Sequence, residues 1–422
     1  IGFMKNKAVF LIILFLSISC TKQEKKPVHS LTQTEKEIIK LYNRIGYVSN
    51  ICPDSLGIYA SLTEQLAATE SVPFQAMALY YRGVYYQNSS SYQLSNDHFE
   101  KSINLLENAK HDTIKARNYI GIGNNLKNSG DYPKAFRYLY QALRINEKYH
   151  RKYGISSSLG CIAQIHLQKN DIPAAKEYLL KALKVLGDDK YNQVYLIASH
   201  TLANLYGMSG DYKSALEIDK EGIMISDKMN SPRNKSTFFD NKANCFMYSN
   251  QLDSAAYYFN ECLKIDIAIG ETKQVADTYS NLGTLSLFKK DLPTAEHYIN
   301  KSIAILKEIN QKPNLDGAYD VLIDVYQKQG KLQKAIDIQK AKEANYKQLI
   351  SEKKEQALAE FKVVYETQKK EQELAENKVL LLQHEAKVKQ KNYILIAVTA
   401  LALFIGLVGF LIYRQQKIKN RQ

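Results

Sequence analysis

A column of small residues recurs at every fortieth position through the middle of the chain. Its members are Ala135, Ala175, Ala215, Ala255, Ala295 and Ala335, with Ser95 one period earlier. Self-similarity at a fixed period of this length is the mark of a repeat architecture. In such a fold each unit packs only on its neighbours, so the chain is limited to an array of similar units and does not form one central core.

Two further columns of small residues keep fixed distances from the first. One lies twelve positions earlier and one lies seven positions later: Gly83, Gly123, Ala163, Ala203, Ala243 and Gly283, then Ser102, Ala142, Ala182, Gly222, Cys262 and Ser302. Small side chains let two helices approach closely, while bulky neighbouring columns fill the grooves between them. Polar turns such as Ser129-Gly130-Asp131 separate the columns, and a glycine there can end a helix in the left-handed conformation. The pattern predicts an all-α fold with two antiparallel helices in each repeat.

These three columns resemble those of the tetratricopeptide repeat family. The resemblance implies an α-α superhelix of seven repeats over 76–347, preceded by a degenerate capping repeat over 34–75. The period is longer than the roughly 34 residues that are usual in the family. We expect the six additional residues in the second helix or its connection. The proline usually found late in the repeat is absent.

The same resemblance implies a ligand groove, because the first helices of successive repeats line the concave surface. The position after the column of Gly83 and Gly123 then faces the groove, and in five consecutive repeats it holds Asn124, Gln164, Asn204, Asn244 and Thr284. An amide both donates and accepts hydrogen bonds, which matches the backbone of an extended peptide. Related peptide-binding repeat proteins use asparagine in this column. We therefore predict a peptide or protein ligand; the alternative is a solvated position that favours short polar residues.

No constellation of catalytic or metal-binding residues stands out in the sequence. His200, Asp240 and Asp320 share another groove-facing column, but they lie a full repeat or more apart and show no nucleophile–base pattern. The five cysteines form no CxxC pair. We expect no enzyme activity, no metal and no cofactor. Cys245 and Cys262 could face each other across one hairpin, although isolated buried thiols are the preferred interpretation.

The N-terminus has the order of a secretory signal. Lys5 and Lys7 precede an apolar stretch over 8–16, and small residues follow before Cys20. We predict a signal peptide over 1–20 and a linker over 21–33. Cys20 resembles the lipidation site of bacterial lipoproteins, although Ser17 stands where a branched apolar residue is usual; ordinary cleavage and an uncleaved anchor are the alternatives. Export would keep the chain away from the chromosome, so its net charge of +14 does not predict nucleic-acid binding.

The C-terminal part predicts a long helix that ends in a membrane. Neither glycine nor proline occurs over 331–405, and a largely apolar heptad pattern begins at Leu358. We predict a dimeric coiled coil over 348–392, with a single charged helix packed back on the repeats as the alternative. Residues 393–413 are apolar between two tyrosines and long enough to cross the hydrocarbon core. A signal peptide would place the repeats in the periplasm and the basic tail, 414–422, in the cytoplasm, with a single pass through the bacterial inner membrane.

The order of these segments carries a second resemblance. Repeats, a segment such as 365–373, and one membrane span are similar to the sensor half of Bacteroidetes signalling proteins, whose cytoplasmic part is usually a histidine kinase or a LuxR-type regulator. The short tail can hold neither, so we expect the output domain to be absent from this sequence. The function predicted is the sensory part of a transmembrane signalling or transcription-regulating system. The alternative is an envelope scaffold or assembly protein with no signalling role.

Overall fold

The computed structural model describes residues 31–48, 53–107 and 111–419. These residues form sixteen α-helices and no strand, which confirms the all-α prediction. The helices are α1 (Gln33–Val48), α2 (Pro53–Ala67), α3 (Val72–Asn88), α4 (Tyr92–Leu105), α5 (Asp112–Asn128), α6 (Tyr132–Lys148), α7 (Lys152–Gln168), α8 (Ile172–Leu186), α9 (Gln193–Met208), α10 (Tyr212–Lys228), α11 (Pro232–Tyr248), α12 (Leu252–Ala268), α13 (Thr272–Phe288), α14 (Leu292–Glu308), α15 (Lys312–Lys328) and α16 (Leu332–Lys419).

Contacts between these helices group the described residues into two compact units. Unit 1 extends to Leu205 and unit 2 begins at Tyr206, so the boundary lies within α9. In unit 1 each helix packs on the next from α1 to α8, and in unit 2 the same holds from α10 to α16. Odd-numbered helices also contact one another, as α3–α5 and α5–α7 do in unit 1 and α11–α13 does in unit 2. The odd-numbered helices are the first helices of the predicted repeats.

The connections recur at half the repeat period, close to every twentieth position. Eleven of them have one residue with positive φ, between 50° and 81°: Ser90, Gly130, His150, Asn170, Gly210, Asn230, Asn250, Gly270, Lys290, Asn310 and Gly330. The next backbone N–H returns to the preceding helix, as Asp131 N donates to the Leu126 carbonyl at 2.9 Å. This closes the helix in a Schellman arrangement. The Asp131 side chain then caps the following helix by accepting from the Lys134 N–H.

The two helices of a repeat share the period equally. In the α5/α6 and α13/α14 hairpins both helices have 17 residues. The connections on either side of α6, over 129–131 and 149–151, are equally short. The expectation that the six additional residues would fall in the second helix or its connection is therefore wrong. The period is two similar helix-and-turn halves.

Bulky residues of the second helix require glycine at positions of the first helices that face them. The Phe99 ring lies between Gly83 and Gly121, and a Cβ at either glycine would come within 2.5 Å of a ring atom. A Cβ at Gly123 would come within 2.7 Å of the Leu139 side chain. Phe99 and Leu139 have no exposed surface. These glycines are therefore needed for core packing, where even one added carbon must displace its neighbours.

The cysteines described by the structure are free thiols. Cys245 on α11 and Cys262 on α12 are both buried, and they are not joined. Burial raises the pKa of Cys245 to about 12 and raises that of Cys262 as well. Isolated buried thiols, the preferred interpretation, are thus confirmed for this hairpin. Cys20 and the predicted signal peptide lie outside the described residues.

The last helix, α16, continues far beyond the repeats. This helix has 88 residues and packs on α15. The Glu352 carboxylate of α16 forms an ion pair with Lys312 of α15. Within the described ranges, Gln372–Ile412 is the one helical segment that is long and apolar enough to cross a membrane. None of its most apolar stretch is buried against the rest of the chain. Residues 420–422 of the predicted tail lie outside the described part.

Candidate functional site

A cavity of about 550 Å³ opens on the odd-numbered helices of unit 1. Its walls come from α3, α5, α7 and α9, with Leu179 of α8 as the single contribution from an even-numbered helix. The lining mixes apolar side chains such as Ile120 and Ile197 with amides and hydroxyls. A volume of this size and a mixed lining are typical of ligand-binding clefts.

Two of the predicted groove residues, Asn124 and Gln164, line this cavity from neighbouring helices. Both are half-buried. The Lys127 ammonium donates to Oε1 of Gln164, and the Asn124 side chain hydrogen-bonds to the Cys161 thiol. Burial lowers the pKa of Lys127. Burial raises the pKa of Cys161, with the Lys127 charge and the Asn124 hydrogen bond acting in opposition. The thiol therefore stays protonated and is a poor nucleophile.

A second, narrower cavity of about 270 Å³ adjoins the first. The two share Gln87, Ile120, Asn124 and Ser157 as lining residues. The second cavity reaches towards the connection between α6 and α7, where Arg151 and Gly154 form part of its wall. Unit 1 therefore presents one groove made of two joined cavities.

The other three predicted groove residues are placed differently. Asn204 is exposed on α9 and lines neither of these cavities. In unit 2, Asn244 Nδ2 donates to the backbone oxygen of Asp240 at 2.9 Å and to its carboxylate at 3.1 Å. Thr284 donates to the Ser280 carbonyl at 3.1 Å and faces a shallow depression of about 460 Å³. The structure brings together Asn124 and Gln164 in one site.

The column that holds His200, Asp240 and Asp320 has no common site. His200 belongs to unit 1, where burial lowers its pKa to about 4 and keeps the imidazole neutral. Burial raises the pKa of Asp240 to about 6, and a hydrogen bond from Asn281 at 2.7 Å opposes this rise. Asp320 is paired with Lys342. In the described part of the chain no three His, Cys, Asp or Glu side chains cluster closely enough to hold a metal ion.

Asp219 is a buried acid that the sequence analysis missed. It has no exposed surface and stands where other repeats place Phe99, Leu139, Leu179, Phe259 and Ile299. Asn241 Nδ2 donates to both carboxylate oxygens at 2.8 Å. Burial raises the pKa of Asp219 to about 7, and the hydrogen bond from Asn241 opposes this rise. A comparison of the residue types in this column between repeats would have identified Asp219 as an acid among large apolar residues.

Comparison with known proteins agrees with the repeat architecture. The tetratricopeptide repeat family pattern matches residues 116–149 and 158–185, which contain Asn124 and Gln164. No curated protein sequence matches the chain significantly.

Several solved structures share the fold. A Rap protein complexed with competence and sporulation factor has a TM-score of 0.58 at 14% identity, covering 82% of this chain and 94% of that protein. The apo quorum sensor NprR from B. thuringiensis has a TM-score of 0.56 at 12% identity, covering 81% and 94%. Aspartyl phosphate phosphatase F from Bacillus subtilis has a TM-score of 0.54 at 15% identity, covering 81% and 89%. The chain therefore carries tetratricopeptide repeats and has the fold of tetratricopeptide-like helical repeat proteins.

Proposed function

We propose that the chain binds a peptide, or an extended segment of a protein, in the groove of unit 1. The observation that carries the proposal is the pair of amides, Asn124 and Gln164, on neighbouring helices of a cavity of about 550 Å³. Within the described residues, Nε2 of Gln164 has no hydrogen-bond partner, so one donor remains for a ligand. An extended peptide presents carbonyl oxygens and N–H groups in alternation, which primary amides recognise without reading side chains.

Two structural relatives with this fold are complexes, one of them with a peptide. One is the Rap protein complexed with competence and sporulation factor, and the other is a Rap conjugation gene regulator of the plasmid pLS20 in complex with the Phr* peptide, with a TM-score of 0.53. Their identity to this chain is 14% and 15%, so they support the architecture and not a shared ligand. The proposal includes no catalytic step, because the Cys161 thiol in the cavity is held protonated by burial.

The remaining part of the proposal concerns anchoring and signalling. We propose that Gln372–Ile412 contains the membrane span, with the repeats in the periplasm and the C-terminus in the cytoplasm. The helix α16 begins at the last repeat and runs unbroken to this segment, so a movement of the repeats would reach the membrane along one rigid element. Lipidation of Cys20 and the absence of nucleic-acid binding remain predictions from the sequence.

We further propose that α16 forms a homodimer through its heptad positions. Leu358, Val379 and Leu382 occupy these positions and are exposed, more than half of each side chain being accessible. Apolar side chains at heptad spacing are buried when two helices form a coiled coil. The dimer would bring two copies of the membrane segment together, as a transmembrane sensor requires.

Peptide retention tests the ligand proposal. The full chain in lipid nanodiscs is mixed with a pool of random heptapeptides, and the retained peptides are quantified by mass spectrometry. Gln164→Leu and Asn124→Leu should each reduce retention about tenfold, because each removes a hydrogen bond worth roughly 1 to 2 kcal/mol. Asn204→Leu is the matched control, since this amide shares the column but lies outside the cavities, and it should retain peptides normally. Absence of retention by the wild type would refute the proposal.

Cysteine cross-linking in membranes separates a sensor from a scaffold. Leu382→Cys should form a disulfide-linked dimer, whereas Leu381→Cys, one position off the heptad column and equally exposed, should not. In a sensor the cross-linking rate of Leu382→Cys should change when retained peptides are added. A rate that does not respond to peptide would favour the envelope scaffold instead.

A further inference from the structure

The narrow cavity of unit 1 contains two positive side chains that face no acid. Arg117 belongs to α5 and Arg151 immediately precedes α7, and both line the cavity. Burial and the positive charge of Arg117 both lower the pKa of Arg151, so the two guanidinium groups act on each other. Arg117 hydrogen-bonds to the Tyr81 side chain. Among the described residues neither arginine forms an ion pair, and this leaves two unneutralised charges in one cavity.

A buried amide without a partner lies beside these arginines. Asn146 lines the same cavity and is 2% exposed, and its Nδ2 has no hydrogen-bond partner in the part of the chain that is described. In the two adjacent repeats the same column holds the buried leucines Leu106 and Leu186, and farther along the chain it holds Ser226, Asp266 and Leu306. A buried donor without an acceptor destabilises a fold unless a ligand supplies the acceptor. Unlike Asp266, whose carboxylate accepts from Ser236 at 2.6 Å, the Asn146 donor has no partner among the described residues.

The residue that faces Asn146 is also adapted to it. Gly154, in the first turn of α7, has no side chain, and a Cβ there would collide with the Asn146 side chain. The corresponding position in neighbouring repeats holds Ile114 and Val194. The N-cap residue of α7, Arg151, makes no side-chain cap hydrogen bond, so the N–H groups of this first turn keep their capacity to donate. The N-terminus of a helix of this length further favours negative charge.

We infer that this pocket, formed by Arg117, Arg151, Asn146 and the first turn of α7, binds a carboxylate of the peptide. The inference rests on the proposed function, because the same peptide would continue along Asn124 and Gln164 in the adjoining cavity. Two carboxylate oxygens can accept from both guanidinium groups and from the amide, a charge-assisted arrangement stronger than neutral hydrogen bonds. The carboxylate comes either from the C-terminus of the peptide or from an aspartate or glutamate side chain.

Tyr153 lies at the rim of the pocket and is occupied by another contact. Its hydroxyl donates to the Asp189 carboxylate at 2.5 Å. Asp189 itself does not line the pocket. Among the residues that the structure describes, the lining of the cavity contains no aspartate or glutamate, and the acid bound to Tyr153 lies outside the lining.

Three heptapeptide pools test the inference on the full chain in nanodiscs. Neither of the first two pools contains Asp or Glu. The peptides of the first pool end in a free carboxylate, and those of the second pool end in an amide. The third pool is amidated and carries one Asp or Glu at a random position. The wild type should retain a carboxylate-bearing pool about tenfold better than the neutral pool, the effect of one charge-assisted pair. Preference for the first or the third pool identifies the source of the carboxylate.

Variants then test which residues are responsible for the preference for carboxylate-bearing peptides. Arg117→Gln and Arg151→Gln should each reduce the retention ratio of the carboxylate-bearing pool to the neutral pool to about one. Retention of the neutral pool itself should not change. Asn146→Leu should reduce it as well, with an unchanged circular dichroism spectrum showing that the fold persists. Arg137→Gln, an exposed arginine on α6 that lines neither cavity, is the control and should keep the preference.

The outcomes distinguish this inference from the proposed function. Equal retention of all three pools by the wild type would overturn carboxylate recognition and leave peptide binding standing. A preference that survives the Arg117→Gln, Arg151→Gln double variant would also overturn it, since the carboxylate would then bind elsewhere. Retention of no pool would overturn both.

Discussion

Unit 1 and unit 2 place side chains of opposite charge at equivalent repeat positions. In unit 1 the odd-numbered helices present Arg117, Lys127 and the amides of Asn124 and Gln164 to a cavity. In unit 2 the position equivalent to Arg117 is Asp277, which accepts from Asn314 at 2.9 Å and pairs with Lys273. The acids of unit 2 are satisfied by neighbouring amides and lysines, whereas neither Arg117 nor Lys127 forms an ion pair among the described residues. Packing columns are thus shared between the units, while ligand-facing columns differ.

The largest expected effect concerns the core packing that the two units share. Phe99 in unit 1 and Phe259 in unit 2 occupy one column, and neither has exposed surface. Each Phe→Ala substitution should lower the free energy of unfolding by about 3 to 5 kcal/mol, because it leaves a cavity among rigid neighbours. Hydrogen exchange should show the loss of protection mainly in the unit that carries the change. Equal loss in both units would show that they unfold together and that the division has no energetic meaning.

The next test concerns the buried acid of unit 2. The folded-state pKa of Asp219, about 7, lies above the ordinary value of 3.8, so the folded chain holds this proton more tightly than the unfolded chain. The resulting stability is fully present below pH 4 and is lost as the pH rises through 7, a decrease of about 4 kcal/mol in all. Asp219→Asn should remove this contribution when urea unfolding is measured at pH 5 and pH 8. Identical pH dependence in wild type and variant would contradict the burial argument.

A smaller effect of similar origin is expected in unit 1. Asn146→Leu places the residue type of the neighbouring repeats in this column and removes an unpartnered buried donor. The free energy of unfolding should rise by about 1 to 2 kcal/mol, as measured by urea denaturation without peptide. A stability gain combined with a loss of carboxylate preference would mark Asn146 as a residue kept for binding. A loss of stability would mean that the leucine does not fit beside the backbone at Gly154.

The smallest effect should be equal in the two units. Asp131 in unit 1 and Asp291 in unit 2 cap their helices through the same contact, to the N–H of Lys134 at 3.3 Å and of Thr294 at 3.2 Å. Each Asp→Ala substitution should cost about 1 kcal/mol. Unequal losses in thermal unfolding would show that the units differ in their local turns as well as in their grooves.

The sequence predicted the hairpins because their causes lie within one repeat. Small columns, polar turns and capping aspartates follow from contacts between adjacent helices, which the constant repeat period displays directly. The difference between the groove amides has a local cause as well. One helical turn before Asn124 stands Ile120, which offers no side-chain acceptor, whereas Asp240 stands at the same place before Asn244 and bonds to it. The residue one helical turn earlier therefore decides whether the amide bonds within its own helix, as Asn244 does, or reaches a neighbouring helix, as Asn124 does at Cys161.

The pocket around Asn146 could not be predicted in the same way. Its parts lie on α5, on α6 and in the turn before α7, and each part looks unremarkable in its own column. The signal is the coincidence of a missing leucine with a facing glycine, and it becomes visible only when the two helices are placed side by side. The division of the repeats into two compact units is equally invisible, because the columns run through the boundary without a slip.

The regular left-handed turns bear on how such a chain can change its length during evolution. Because successive junctions have the same length and geometry, duplicating or deleting one whole repeat from a turn to its equivalent would leave every remaining junction unaltered. The connection between α8 and α9 is longer, since it turns at Gly187 and runs over 187–192. Insertions there would leave the modular spacing of the flanking hairpins intact, which makes that loop the natural place for a lineage to acquire new surface.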